Sequence, residues 1–391
     1  MVEFSKLRDK YNNFKIPRVK VMVGGKDVAK DKGSYAISNI EVELTSGYEA
    51  SVAQFVLYDV YNPLTHTFKS DDIKKYITLG SPVEISMGYE DEVTPVFRGF
   101  ISQVVYVFRR GEVPGVEVHA MDIKGIMMAN DYAKQIKASS YSEAVNSIFK
   151  QSFYQKLKGS SSVFQKLSIT DTPDKKPSPG GDKKEVTDRS IEMVNESDYE
   201  FVVRAAKRYN YEFFQVIDTI FFRKAKSDTK ELMTIGPEQG MMAFEIGYDV
   251  TGLAGKIEVR NVDPSKGKMV NYKTKMDSTI SHTGKAKQLV AKQTKVFIDP
   301  TAATQQEAQY RAGFLQEEMS YRFGTMEADM LGIPELIPGK FVLVNGLGKN
   351  VSNKFYVTSV RHSMSGDSFY QTHITGKASG LYSPVSTGIK L

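Results

Sequence analysis

The 391-residue sequence contains no cysteine. This absence excludes disulfide bonds, thiolate nucleophiles and every zinc or iron–sulfur site built from cysteine. Long hydrophobic runs are also missing: the longest, residues 100–108, is interrupted by Ser102 and Gln103, whereas a bilayer span needs roughly 20 apolar residues. Residues 1–10 are charged and lack the apolar stretch of a secretory signal, so we expect synthesis and assembly in the cytoplasm.

The common catalytic motifs are missing as well. Residues 332–340 resemble a phosphate-binding loop only superficially, because six residues instead of four separate the glycines and a Phe follows the Lys. Gly346 and Gly348 lack the third glycine of a dinucleotide fingerprint, and neither His-Glu-x-x-His nor Gly-x-Ser-x-Gly occurs. We therefore expect a protein that is not an enzyme and that uses no cofactor.

The five histidines are scattered, and only His362 and His373 suggest a shared site. If they faced each other across adjacent strands, they would form a metal or acid–base cluster with Asp367. The alternation of apolar and polar residues favours the other interpretation, in which both histidines are polar members of barrel strands.

What the sequence does contain is typical of a folded protein with two or three domains: 41% hydrophobic, 25% charged and 11% aromatic residues. The net charge of +6 is concentrated in residues 256–295, which have ten basic and three acidic residues and so carry +7. One interpretation is a basic surface that meets an acidic partner or nucleic acid. The other, which we favour, is a pair of strands whose alternating lysines protect an exposed edge.

Period-two alternation predicts that residues 1–130 form a first antiparallel β domain, a small barrel or sandwich, with short strands separated by Gly and Asn-Pro turns. Residues 131–245 are predicted to form an α+β middle domain. Its helices begin at the capping boxes Ser140–Glu143 and Ser197–Glu200, its hairpin pairs residues 211–214 with 220–223, and residues 171–189 form an exposed loop rich in Pro, Gly and charge.

Residues 246–376 are predicted to form a second β-barrel with one helix, at about 304–323, that begins at the capping box Thr304–Glu307. Residues 377–391 then form a C-terminal tail. The expected fold class is α+β and mainly β, with two similar antiparallel β-barrel domains and an α+β domain between them.

Four segments resemble the phage late control gene D family, the tail hub proteins of contractile tails and related injection machines. They are an opening strand pair at 16–28, the strands 96–101 and 115–122 that end in Ala-Met-Asp, the helical segment 195–204, and a closing barrel at 326–376. The last contains Leu-Gly-Ile-Pro-Glu-Leu-Ile-Pro-Gly at 331–339, followed by strands at 340–344 and 355–363. Their order and spacing together carry the resemblance.

The resemblance implies a homotrimer in which two barrels per chain build a ring of six similar domains between a sixfold tail tube and a threefold spike. The expected partners are the tail tube protein, a spike on a separate polypeptide, other baseplate components and a tape-measure protein. Nucleic acid would only pass through the lumen. Strand edges and loops of both barrels would carry assembly, and the interface residues that we expect are Lys266, Lys268, Lys273, Lys275 and Tyr382.

Two other classes of function stay open at this point. A basic nucleic-acid-binding β-barrel protein would retain DNA in a strongly salt-dependent way. A tail-associated cell-wall hydrolase would need a catalytic constellation that the sequence does not display.

Overall fold

The protein is mainly β, which confirms the expected fold class. The computed structural model describes residues 1–29, 35–159, 161–174, 190–263, 267–275, 284–302, 304–348, 351–366 and 369–381. Residues Lys266, Asp367 and Tyr382, which the sequence analysis singled out, lie outside this part of the chain.

The N-terminal part is built almost entirely from strands whose side chains alternate between a buried and a polar face. Its elements are α1 (Phe4–Lys10), β1 (Pro17–Val23), β2 (Lys26–Asp27), β3 (Ala36–Thr45), β4 (Val52–Tyr58), β5 (Tyr61–Asn62), β6 (Thr67–Phe68), α2 (Ser70–Lys74), β7 (Pro82–Tyr89), β8 (Glu92–Val107) and β9 (Gly115–Met121).

The middle part mixes helices with short strands, as expected. Its elements are α3 (Ile123–Met127), β10 (Tyr132–Lys137), α4 (Tyr141–Phe149), α5 (Ser152–Lys156), β11 (Lys166–Ile169), β12 (Ser190–Glu196), α6 (Asp198–Tyr209), β13 (Tyr211–Val216) and β14 (Thr219–Lys224). β13 and β14 form the expected aromatic hairpin, and β11 adds to it in parallel.

The C-terminal part returns to strands. Its elements are β15 (Glu231–Ile235), β16 (Met241–Tyr248), β17 (Lys256–Asp263), β18 (Lys268–Lys273), α7 (Gly284–Lys292), β19 (Thr294–Ile298), α8 (Gln305–Ser320), β20 (Gly324–Leu331), β21 (Phe341–Val344), β22 (Lys354–Met364) and β23 (Gln371–Ala378). β15 pairs with β21, and β16 pairs with β20, so both strands belong to the C-terminal sheet. The domain boundary predicted at residue 245 would have put β15 and the first half of β16 in the middle domain.

The helix starts follow from their cap residues. The Ser197 and Thr304 side chains each accept a hydrogen bond from the amide three residues on, and Glu200 and Glu307 reach back to the cap, as expected of capping boxes. Ser140 also caps its helix, but the Glu143 carboxylate bonds to Ser139, one residue before the cap.

Most strands from the two ends of the chain join in one 13-stranded sheet, in the order β16-β20-β23-β22-β3-β4-β9-β8-β7-β1-β2, with β21 beside β22 and β15 beside β21. A single hydrophobic core contains residues from both ends, including Val42, Phe55, Ile85, Met326 and Ile374. The two β parts are therefore fused through one sheet and one core.

The joined sheet contains the same arrangement twice. We call β1, β3, β4, β7, β8 and β9 module 1, and β15, β16, β20, β21, β22 and β23 module 2. If the six strands of each module are numbered along the chain, both modules have the spatial order first, fourth, fifth, sixth, third, second. The ladders have the same orientation in both, except that β1 pairs with β7 antiparallel whereas β15 pairs with β21 parallel. The expected pair of similar β modules is confirmed.

Even the irregularities of the two modules correspond. The fifth strand of each has one extra residue opposite the sixth, Ser102 in β8 and Thr358 in β22. The hydroxyl of each extra residue donates to the carbonyl of the facing residue, His119 or Thr375, at 3.2 Å. The two modules thus share a bulge at the same topological position, held by the same hydrogen bond, which extends their similarity from strand order to backbone detail.

Two insertions separate or interrupt the modules. The middle domain lies between modules 1 and 2 and has its own core, which begins at Ile123 and Met127 of α3. Between the second and third strands of module 2, residues 249–323 add the sheet β18-β17-β19, which packs on α8. No helix in the described part of the chain is long and apolar enough to cross a membrane.

We predict that Gly332→Ala destabilises the fold by about 1–3 kcal/mol, because a Cβ there would lie 2.1 Å from the ring of the fully buried Tyr370. The matched control is Gly313→Ala inside α8, where a Cβ meets nothing within 4 Å and Ala is a better helix former by about 1 kcal/mol. Urea denaturation of both variants checks this. Equal stability of the two variants would contradict the packing described for Tyr370.

Candidate assembly surfaces

The ladder between β3 and β22 joins the two modules. β21 pairs only with residues 354–356 of the longer β22, so that residues 359–364 of β22 extend beyond it and pair with β3 instead. The paired side chains that face the core, among them Val42, Leu44 and Val360, are buried. We call this contact the internal junction.

His362 lies in the internal junction opposite Val42 and has no exposed surface. Its Nε2 donates to the Leu336 carbonyl at 3.1 Å, which leaves Nδ1 to accept from the hydroxyls of Tyr370 and Thr372 at 2.9 and 3.1 Å. Burial lowers the pKa of His362 to about 4. Its ring is thus a neutral structural bridge between the 331–339 segment and the sheet.

His362 and His373 do not come together in a shared site, and Asp367 lies outside the described residues. His373 of β23 lies opposite Arg361 of β22, and Arg361 directly precedes His362 in the chain. Because facing residues lie on the same side of a sheet and consecutive residues do not, the two histidines point to opposite faces. The Nδ1 atom of His373 contacts the Asp329 carboxylate at 2.7 Å on the polar face. Within the described residues, no group of three or more His, Asp or Glu side chains is arranged to hold a metal ion.

β16 is an edge strand with an exposed apolar side. It pairs with β20 on one side, and no strand of the described chain pairs with its other side. Met242 and Phe244 are 43% and 45% exposed. The strand has neither Lys nor Pro, the residues that usually protect an edge. Near the other end of the sheet, the short β2 covers only Met22 and Val23 of β1, and the part of β1 that it leaves open contains Pro17, Arg18 and Lys20.

A second open edge lies in β8. β7 pairs with residues 92–100 of β8, and Ile101 still bonds to the backbone at Gly80 and Ser81. Beyond that point, the described chain has no strand beside residues 103–107 on this side. Tyr106 and the following Phe108 are 42% and 64% exposed. The longest apolar run of the sequence thus forms an edge that is incompletely covered.

The sheet β18-β17-β19 carries the basic segment. β18 is an edge strand, and its alternation places Lys268 on the side of Val270, which packs toward α8, and Lys273 on the opposite side. Lys275 follows the strand and is exposed. The lysines therefore do not share one face, and an interface role for them stays a prediction. Their position on an edge strand agrees with the protective role that the sequence analysis favoured.

Buried polar contacts hold the middle domain against both modules. Against module 1, the fully buried Lys124 ammonium donates to the carbonyls of Gly47 and Glu49 at 3.2 and 2.5 Å, and the Asp122 carboxylate accepts from the Ser51 amide at 2.9 Å. These bonds fix the turn between β3 and β4, and burial lowers the pKa of Lys124.

Against module 2, the contact is centred on Glu212 in the hairpin. Its carboxylate accepts from Arg223 at 2.6 Å and from the Tyr356 hydroxyl of β22, while Arg223 also donates to the Gly339 carbonyl at 2.7 Å. Burial raises the pKa of Glu212, and the Arg223 guanidinium opposes that rise. The Glu212 carboxylate is thus held in the interior by one cation, one hydroxyl and the Lys226 amide.

An open cleft of about 560 Å³ lies where the middle domain, α8 and both modules meet. Its wall includes Lys207 and Lys226 together with Glu49 and Glu318, so charges of both signs are present. The Lys226 ammonium lies 4.5 Å from the centre of the Tyr321 ring. Neither sign dominates, and the cleft does not indicate a particular ligand.

The architecture is that of phage tail proteins. The 43 kDa tail protein of prophage MuSo2 from Shewanella oneidensis is similar with a TM-score of 0.62, 12% identity and coverage of 92% of this chain and 98% of that chain. The tail protein from Neisseria meningitidis MC58 is similar with a TM-score of 0.62, 13% identity and coverage of 93% and 97%.

A component of the type VI secretion system of E. coli, described as similar to the T4 tail proteins gp27 and gp5, has a TM-score of 0.54, 11% identity and coverage of 93% of this chain and 79% of that chain. At these identities the likeness establishes the fold. The family model described as the Alg8 N-terminal domain matches residues 13–366, so the chain belongs to that family. No curated protein matches the sequence. The finer assignment to late control gene D hubs stays a prediction.

We predict that stability falls as the pH drops from about 6.5 to 4 because of His362. Its folded pKa is lowered to about 4, so in this window the unfolded chain binds a proton that the folded chain does not. The contribution lost is about 3 kcal/mol. Urea unfolding across this range should show a shallower pH slope for His362→Gln. The control Val360→Ala removes a buried side chain of the same strand that does not titrate, so it should lower the stability and keep the slope. An unchanged slope in His362→Gln would contradict the buried neutral ring.

We also predict that Arg223→Met costs about 3–5 kcal/mol, because it leaves the Glu212 carboxylate buried without its cation. Adding Glu212→Gln should restore part of that loss, since the amide oxygen still accepts from Tyr356. Arg204→Met removes a more exposed ion pair with Glu196 and should cost about 0–1 kcal/mol. Denaturant midpoints of the three variants check this, and equal losses for Arg223→Met and Arg204→Met would refute it.

Proposed function

We propose that the chain is a structural baseplate hub of a phage tail or a tail-like injection particle. It acts as a homotrimer that adapts a sixfold tail tube to a threefold spike, with the tube protein on one side and a separate spike polypeptide on the other. The role is mechanical and involves no catalysis. The fold that it shares with prophage tail proteins and a type VI secretion component supports this proposal.

The observation that carries the proposal is the duplicated module. Each chain presents two six-stranded units of the same topology, already joined side by side through one ladder. Three such chains supply six similar units, so a threefold assembly imitates a sixfold one. The tube then meets a nearly hexagonal surface, while the spike meets the true threefold symmetry of the trimer.

The exposed edges give the physical reason for association. An apolar strand edge in water is prone to pair with another strand, and closing a ring removes every such edge at once. The open edges at β16 and β8 lie in different modules, so one copy can offer the first while its neighbour offers the second. Such a head-to-tail contact builds a closed ring when the rotation per chain is one third of a turn.

We predict that the purified chain forms a stable trimer of about 131 kDa, three times its mass of 43.8 kDa. Native mass spectrometry or sedimentation velocity measures this directly. Neither a nucleic-acid-binding protein nor a cell-wall hydrolase requires a trimer. A chain that stays monomeric at every concentration tested would contradict the proposal.

A further inference from the structure

The two modules can be aligned residue by residue through their ladders. In the fifth and sixth strands, corresponding residues of the two modules differ by 256 positions. Before the bulge, the facing residues Ile101 and Ala120 of module 1 correspond to the facing residues Val357 and Gly376 of module 2. After the bulge, Val107 and Gly115 correspond in the same way to Ser363 and Gln371. The offset is the same on both strands and on both sides of the bulge. The exposed stretch 103–108 of module 1 therefore corresponds to residues 359–364 of module 2.

The second strands align in the same way. In module 1, Glu41 of β3 pairs with Gln54, which in turn pairs with His119 of the sixth strand. In module 2, Glu245 of β16 pairs with Glu327, which in turn pairs with Thr375 of the sixth strand. His119 and Thr375 are corresponding residues, since they too differ by 256 positions. Glu41 thus corresponds to Glu245. Val42 and Leu44 correspond to Ile246 and Tyr248.

This alignment gives each open edge a counterpart in the internal junction. There, the second strand of module 1 pairs with the end of the fifth strand of module 2. The edges left open are the second strand of module 2, which is β16, and the end of the fifth strand of module 1, in β8. Each chain therefore contains a second set of the two strand segments that form the internal junction, namely β16 and the end of β8. Within one chain these two segments are not paired with each other.

The exposed apolar side chains agree with this correspondence. In the internal junction, Ile40, Val42 and Leu44 are buried against β22. Their counterparts on β16 are Phe244, Ile246 and Tyr248, which are exposed or half-buried. On the other edge, the buried His362 has the exposed Tyr106 as its counterpart. Positions that are covered where the junction is made are uncovered where it is missing.

The segment beside the fifth strand is also arranged alike. In module 2, Leu336 in the connection between the third and fourth strands contacts His362. In module 1, Phe68 in the corresponding connection contacts Tyr106, with ring centres 5.2 Å apart. Tyr106 therefore has its support from the core side, as His362 does, while the backbone edge beside it stays open.

From these correspondences we propose that β16 of one chain pairs antiparallel with residues 103–108 of β8 in a second copy, in the register of the internal junction. Glu245 then lies opposite Val107, Ile246 opposite Tyr106, and Phe244 opposite Phe108 of the neighbouring copy. The ladder runs continuously through all six modules of the ring. This inference rests on the proposed trimer and specifies the strands and register that close it.

Cysteine pairs test the register, because the natural chain has no cysteine to interfere. Facing residues of an antiparallel ladder lie about 4.5–5.5 Å apart at Cα, within the range that a disulfide bridges. The variant Glu245→Cys/Val107→Cys, oxidised at low protein concentration, should yield dimers and trimers of the 43.8 kDa chain on a non-reducing denaturing gel.

Two matched variants serve as controls. Glu41→Cys/Ser363→Cys places the pair at the corresponding positions of the internal junction and should give a disulfide within one chain, with no change in mass. Glu245→Cys/Gln103→Cys uses the same two edges but displaces one cysteine by four residues, about 13 Å along the strand, and should give at least tenfold less cross-linked product.

A second measurement does not depend on cysteine. Phe244→Asp places a charge in the proposed contact and should raise the trimer dissociation constant at least tenfold. Ile298→Asp changes a residue that is 83% exposed and lies in β19 of the inserted sheet, outside both modules, so the trimer should be unaffected.

The outcomes separate this inference from the proposed function. Cross-linking of the Glu245/Val107 pair in clear excess over the displaced pair supports the register. A trimer with equal or no cross-linking in the two pairs, or one insensitive to Phe244→Asp, overturns the proposed ladder while the hub proposal stands; this includes the case in which another protein covers β16. A chain that does not trimerise overturns both.

Discussion

The structure depends on the backbone ladder between β3 and β22. It turns two six-stranded modules into one sheet with one core, and it buries side chains of both modules along the line where they meet. Because each module exposes its second strand and the end of its fifth, one such ladder covers only two of these four edges in a chain. The remaining edges are what an assembly of copies would cover.

The two inserted parts enter the chain at connections between strands, so they leave the shared order of strands unchanged. The middle domain follows module 1 and is held by Lys124 against one module and by Glu212 and Arg223 against the other. The small sheet β18-β17-β19 enters module 2 between its second and third strands. Each insertion has its own apolar core, so neither has to disturb the strand order that the two modules share.

Local features were readable from the sequence because they depend on neighbouring residues. Alternation located most strands, and the capping boxes at Ser197 and Thr304 located two helices. The duplication as such could not be read residue by residue, because corresponding positions hold different side chains: Tyr106 corresponds to His362, and Phe55 to Ala328. Roughly 75 inserted residues also separate β16 from β20, which hides the shared order of strands.

The candidate site shows the same limit. Charge density drew attention to the lysines of 256–295, yet the alternation along β18 places two of them, Lys268 and Lys273, on opposite faces. The apolar run at 100–108 was noticed only as too short for a membrane, although its position as an edge strand is what gives it significance. Burial and edges depend on long-range pairing, which no local pattern reports.

An electron cryo-microscopy structure of the purified oligomer would test the central claim most directly. The account predicts six similar modules in a ring, with β16 of each chain hydrogen-bonded to β8 of the next and superposable on the β3–β22 ladder. A structure in which β16 and residues 103–108 of β8 stay unpaired, or in which the modules do not form a ring, would contradict it.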